Sequence, residues 1–343
     1  MRLFVSKNAA SFAAMAALAL FLPVPASSAV PDDEGPGVYL MLVEGADLAF
    51  DEAVSVLEDR LIRDGWTIAT AVDCGVDETA CSFRSRVVVA YADDYVDQVM
   101  AYGTHAAYAV PIRFVVWEDE NGVNVGATNP MNLNRTIVDE ETSPEDWAGI
   151  AARIRSITLL AFPGFAASGD YGQHRKNARI GRTMGIMAGG KFVDKIEQIA
   201  TLADPDLTTK AVAEKIVSDM PGVAGDWEWQ AEPAYLIDLP SYEATLVGVR
   251  GPPIEARSFG IVRHGGNDAR KEMACPGIDH AAAFPIEILV SKNGDAIEVS
   301  LVDEMYRMKM FFEDAGKMSF AKNMGMPGSI EDEIKKKIQA IVN

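Results

Sequence analysis

The chain repeats itself, and a repeat restricts the fold more than any single motif does. Asp47-Leu48, Ala53-Val54 and Asp64-Gly65-Trp66 are followed, in the same order, by Asp206-Leu207, Ala211-Val212 and Gly225-Asp226-Trp227. His105-Ala106-Ala107, Pro111-Ile112 and Asn121-Gly122 have partners in His280-Ala281-Ala282, Pro285-Ile286 and Asn293-Gly294. Ser143, Glu145 and Asp146 match Ser329, Glu331 and Asp332. The distance between partners grows along the chain, as net insertions in the second copy require. Each match alone is weak. The ordered series predicts two similar domains, residues 38–162 and 193–343, joined by a linker over 163–192.

In the first copy, the apolar run Val38–Val43 is an expected strand. Phe50, Val54, Leu57, Leu61 and Ile62 then fall at helical spacing within Leu48–Arg63, with Asp47 as cap and Gly65 as stop. Trp66–Val72 and Arg86–Ala90 read as strands, and Asp93–Tyr102 as a helix whose first residues are acidic, which suits its N-terminus. Tyr108–Glu118 and Val123–Ala127 flank Asn121-Gly122, a hairpin signal. Pro144–Leu160 reads as a closing helix. The second copy offers a helix over Leu207–Asp219, a hairpin over Phe284–Leu301 and a closing helix over Ile330–Ile341 capped by Ser329. Extra residues are expected in Glu232–Phe259 and between Glu304 and Gly328. The expected class is α+β: two similar copies, each a mainly antiparallel sheet with helices packed on one face. The copies are expected to pack as an internal pseudo-dimer.

Strand, helix, Asp64-Gly65-Trp66, Val87-Val88-Val89-Ala90, His105, Val110-Pro111-Ile112-Arg113 and a strand ending near Asn129-Pro130 follow in an order that resembles the family called domain of unknown function 302. The resemblance covers roughly residues 38–162 and, more faintly, about 193–343. It implies small α+β domains that occur singly or in tandem. The family carries no settled activity, so the resemblance speaks to fold more than to function. Many relatives carry a cysteine in the segment matching Tyr91–Asp94 and another just after the proline matching Pro111. Here Ile112 follows Pro111 and Ile286 follows Pro285, so a thiol or metal role tied to those cysteines does not carry over.

At the N-terminus, Arg2 and Lys7 precede or border the apolar stretch Ala9–Leu22. Pro23–Ala29 is short, with Ser27 and Ala29 placed for cleavage. That order predicts a signal peptide over residues 1–29. The apolar stretch is too short to cross about 30 Å of hydrocarbon as a helix. The expectation is a periplasmic or secreted protein with no membrane span after cleavage. The chain has 31 basic and 50 acidic residues; losing residues 1–29 removes two basic ones and no acidic one, leaving a net charge of −21. Such a surface repels nucleic acid and anionic lipid.

Export bears on the three cysteines. Cys74 and Cys81 lie close together in a Gly/Asp-rich stretch and are the expected disulfide in an oxidising compartment. Cys275 is left over and expected to be buried. His105, His280 and Cys275 are the ligand-binding candidates. The two histidines hold matching places in the repeat, although a ring bonded to helix-end carbonyls is the reading their position favours. Met305, Met308 and Met310, with His264 upstream, are metal candidates. Thioether, imidazole and thiolate suit copper(I), but methionine also fills cores and no Cys-x-x-Cys or His-x-x-x-His spacing supports a site. The basic stretch His174–Lys191 reads as a linker docked on acidic surface, because no Gly-Lys-Ser/Thr gives it a phosphate-loop pattern.

Taken together, these residues point to a non-enzymatic protein that binds a small molecule or a metal, copper being the metal considered. A protein partner is the other class. The alternatives are an enzyme using His280 as acid or base near Cys275, and a structural or interaction protein. The lining of any cavity between the copies separates these readings.

Overall fold

A computed structural model of the chain describes residues 35–138, 142–176, 189–225, 231–265 and 273–342. The expected signal peptide, Asp226, Trp227 and the middle of the basic linker lie outside the described residues. The first half runs β1 (Tyr39–Ala46), α1 (Phe50–Arg63), β2 (Thr67–Asp73), β3 (Ser85–Tyr91), α2 (Asp93–Met100), a 3-10 turn (Thr104–Ala109), β4 (Ile112–Asp119), β5 (Gly122–Thr128), α3 (Pro130–Val138) and α4 (Ala148–Ala161). After β6 (Asp170–Tyr171) come β7 (Ile196–Leu202), α5 (Thr209–Asp219), β8 (Glu232–Leu239), β9 (Ala244–Arg250) and α6 (Pro252–Gly265). A 3-10 turn (Ile278–Ala283), β10 (Ile286–Asn293), β11 (Ala296–Val302), α7 (Glu304–Phe312), α8 (Lys317–Lys322) and α9 (Gly325–Val342) complete the second half. The fold is α+β, with two antiparallel sheets.

The two sheets share a strand order. The first is β2-β3-β4-β5-β1-β6, and the second, read from its far edge, is β8-β9-β10-β11-β7. Only the two-residue β6 lacks a counterpart. One spacing separates Gly103 from Gly277, Pro111 from Pro285, Arg113 from Glu287, Asp119 from Asn293 and Asn129 from Asp303. Asn129 Oδ1 accepts from the Met131 N–H at the start of α3, and Asp303 Oδ1 accepts from the Tyr306 N–H at the start of α7.

Several sequence expectations change. Glu232–Phe259 is not an insertion, because it holds β8, β9 and the start of α6, which correspond to β2, β3 and α2. The second half is longer because α6 outruns α2 and the chain continues to Gly277 before its 3-10 turn. Asp47 does not cap α1, which starts after Ala49 without a side-chain cap. Ile62 is 59 % exposed; it is one residue, about 100° of helix, beyond the buried Leu61. Ser329 lies inside α9 and donates to the Gly325 carbonyl. No helix was expected over Pro130–Val138, although a cap at Asn129 and proline at the first helical position are a usual start. A capping box that was not expected stands at Ser143, whose N–H donates to Asp146.

Each sheet is covered on both faces. Ile112–Trp117 of β4 are all buried, and alternation sends successive side chains to opposite faces. Phe114 meets Trp66 edge-on on the side of α1 and α4, with centroids 6.0 Å apart. Arg113 and Trp117 point to the other half; Trp117 lies 6.1 Å from Tyr171 of β6, whose hydroxyl donates to the Asp279 carbonyl of the second half at 2.8 Å. The coverage is reciprocal. The turn Ile278–Ala283 packs on β3, β4 and β5, and the turn Thr104–Ala109 packs on β9 and β10. Among the described residues no helix is long and apolar enough to cross a membrane.

Candidate functional site

This exchange of turns leaves a cavity between the halves. Its empty space, part of it open to solvent, is about 450 Å³. The starts of β4 and β10, the ends of β5 and β11, and the helices α3 and α7 that follow them all contribute. Leu133 and Ile137 of α3 face Met310 and Phe311 of α7, with Phe192 beside them.

Three buried charges sit in its wall. Arg113 donates from Nε and Nη2 to Glu287 Oε1, with Nε 3.0 Å away. The Tyr235 hydroxyl donates to the same oxygen at 2.9 Å. Burial works against the Arg113 charge, but the Glu287 carboxylate outweighs it and raises the arginine's pKa. Arg307, on α7, donates from Nη2 to the carbonyls of Ala283 and Pro285. Its guanidinium lies 5.6 Å from the Phe284 ring centre and 5.2 Å from that of Phe311. Arg307 Nε and Nη1 have no hydrogen-bond acceptor.

Just behind Arg307 is Glu304, which is fully buried. Its Oε2 is 3.9 Å from Arg307 Nη1, and neither carboxyl oxygen has a hydrogen-bond partner. An ion pair at that distance, without a hydrogen bond, does not repay the loss of hydration. Burial pushes the Glu304 pKa up to about 8. Burial therefore favours the protonated carboxyl over the carboxylate.

Residues 43–158 match the model of a family described as a domain of unknown function, DUF302. This is the segment of the chain that is similar to the family. It runs from within β1 to within α4 and supplies one wall of the cavity. A crystal structure of an uncharacterized conserved DUF302 protein from Bacillus stearothermophilus is similar to this chain. The identity is 16 % and the TM-score 0.31, over 36 % of this chain and 98 % of that one. No curated protein matches the chain.

The two halves do not place their histidines alike. By the common spacing, His105 corresponds to Asp279, and His280 to Ala106. One residue in a 3-10 turn is a rotation of about 120°, so the two rings point in different directions. His105 is half-buried, with Nε2 3.4 Å from the Val138 carbonyl at the end of α3. That is the helix-end contact the sequence favoured, made to a different helix. His280 is fully buried. Its Nδ1 is 3.1 Å from Asp279 Oδ1, and its Nε2 is 3.0 Å from Asp314 Oδ1. The ring stacks on Phe312 at 5.8 Å and meets Tyr39 of the first half edge-on at 5.0 Å. Neither histidine lines the cavity.

The expected pairing of Cys74 with Cys81 is corrected. Cys81 bonds Cys275, with Cα atoms 5.1 Å apart, and Cys74 is free. The reason is where the β2–β3 loop lies. The Cys74 N–H continues the sheet by donating to the Ser85 carbonyl, and the Gly75 N–H donates to Glu255 of α6 at 2.6 Å. The loop is thus laid on the second half, and Cys81 reaches Cys275 there. A β-carbon on Gly75 would stand 1.9 Å from the Pro252 carbonyl oxygen, so only glycine allows this approach. Cys275 brings no free thiol to His280 or to a metal.

The methionines do not gather as a ligand set. Met308 and Met310 are buried and Met305 is half-buried on α7; only Met310 lines the cavity. The His264 side chain lies outside the described structure. Among the described residues, the His, Cys, Asp and Glu atoms close enough to share an ion are those of Glu197, Asp303 and Glu331. These are hard oxygen donors unlike a copper(I) site. Lys335 already bonds both Glu197 and Glu331. From the basic linker, Arg175 is buried against Glu313, Asn132 Oδ1 and the carbonyls of Lys309 and Met310. Sequence reading missed Arg113, Glu287, Glu304 and Arg307. The available signal was a charged residue inside an otherwise apolar strand, twice, two places after a proline.

Proposed function

We propose that this protein is an exported tandem of two DUF302-type domains that binds a small molecule in the cavity between them, without catalysing a reaction. The observation that carries the reading is the cavity. Both halves line it, its walls are mainly apolar, and it holds a guanidinium with donors that no protein group accepts. Ligand sites favour such domain junctions, with apolar walls and a few placed polar groups. The common strand order and the single spacing from Gly103 to Asn129 support the tandem. The order of residues 1–29 supports export, as does a disulfide of the kind that persists in oxidising compartments.

Export is tested by the mass of the protein recovered from a periplasmic extract. It is expected to begin at Val30, and retention of residues 1–29 would overturn that part. Binding is tested by saturation-transfer NMR against a set of small neutral and charged metabolites. Binders are expected whose signal is lost in Ile137→Phe, which fills the cavity from α3. A set without binders, or binding indifferent to that substitution, would sink the reading.

A further inference from the structure

We infer that the cavity takes a small monocarboxylate, its oxygens on Arg307 and its short apolar tail against the walls. The inference rests on the cavity being a binding site and adds the chemistry of the ligand.

The argument is one of matching donors and charges. Other polar groups of the lining have protein partners. Arg113 is held by Glu287, and its N–H donates to Thr128 Oγ1 at 3.1 Å. Asn134 Nδ2 donates to the Tyr95 hydroxyl at 2.9 Å. Arg307 uses only Nη2 on carbonyls, so its Nε–H and its Nη1 amino group remain without an acceptor at 4 % side-chain exposure. A buried donor left unmatched is costly, and a buried charge more so. Charge tells the same story. Arg113 and Glu287 cancel. Glu304 Oε2 is 3.9 Å from Arg307 Nη1 with no hydrogen bond between them, and burial favours its protonated form, so it offsets Arg307 poorly. One positive charge is left in the wall, which calls for one negative charge from outside. Carboxylate oxygens accept charge-assisted bonds from a guanidinium. A multiply charged anion such as phosphate would need further cations, whereas the neighbours here are Leu133, Ile137, Met310 and Phe311.

The test uses propionate and its neutral isostere propionamide on the mature full chain, by isothermal titration at pH 7. Propionate is expected to bind at least tenfold more tightly. Arg307→Met should remove that preference, and Ile137→Phe should remove binding of both. Equal binding of the two compounds overturns the carboxylate inference but leaves the cavity reading standing. Failure of propionate to bind overturns the inference too, and the wider NMR set then judges the cavity alone. Circular dichroism checks that Arg307→Met is folded. If it is not, the comparison of the two compounds on the unmodified protein decides.

Discussion

Arg113 and Glu287 occupy the same place in the two halves and bond to each other. Each is the second residue of its strand, two places after Pro111 or Pro285, and each side chain is 5 % exposed. The two halves share a strand order and each lays its 3-10 turn on the other's sheet, which brings these like positions together. Identical charges there would repel; arginine in one half and glutamate in the other make the meeting point an ion pair.

That pair predicts an asymmetric mutational response. Arg113→Met or Glu287→Leu alone leaves a charge buried without its partner and should cost about 3–5 kcal/mol. The double variant should cost less than either single one. Urea unfolding of the three variants measures it, and additive losses would contradict the finding.

Glu304 predicts a pH dependence. Its pKa rises from the usual 4.5 to about 8, with Arg307, Glu331, Glu287 and Asp303 as the charged neighbours. Between those values the folded protein keeps a proton that the unfolded chain has lost. This contribution is fully present below pH 4.5 and falls as pH rises to 8, by at most about 1.4 kcal/mol per pH unit. Glu304→Gln carries no titration at this site. Its stability relative to the parent should climb from pH 5 to pH 8; a constant difference would show that Glu304 does not titrate there.

The cysteines give a covalent prediction. Peptide mapping without reduction should yield a peptide containing Cys81 linked to one containing Cys275. Burial, with the Glu255 carboxylate adding to it, raises the Cys74 thiol pKa. Cys74 should therefore resist iodoacetamide at pH 8 until the protein is unfolded. Cys81→Ser should cost about 2–5 kcal/mol. A peptide joining Cys74 to Cys81 would refute the arrangement.

The two histidines should behave differently despite their matching motifs. His280→Ala removes a ring packed between two carboxylates and three aromatic rings and should cost roughly 2–4 kcal/mol. His105→Ala should stay within about 0.5 kcal/mol. Thermal unfolding of both variants checks this; equal effects would argue against the one-residue offset.

By itself the sequence determined the local architecture. Apolar periodicity placed α1 and the closing helices, a β-branched run placed β3, an acidic start placed α2 and Asn-Gly turns placed both hairpins, because each of these signals is written in neighbouring residues. It also showed short matching residue groups in the same order in both halves, and the match to DUF302 falls on the first half. Tertiary structure alone decided what the two halves build together. Which cysteine meets Cys81, that His105 and His280 are one residue out of step, and that Arg113 faces Glu287 all depend on contacts between residues far apart in the chain. Such contacts leave no periodic trace. They arise because each sheet has a second apolar face that its own helices do not cover, and the other half covers it. The cavity with its unmatched Arg307 is a product of that packing, legible only once both halves are in place.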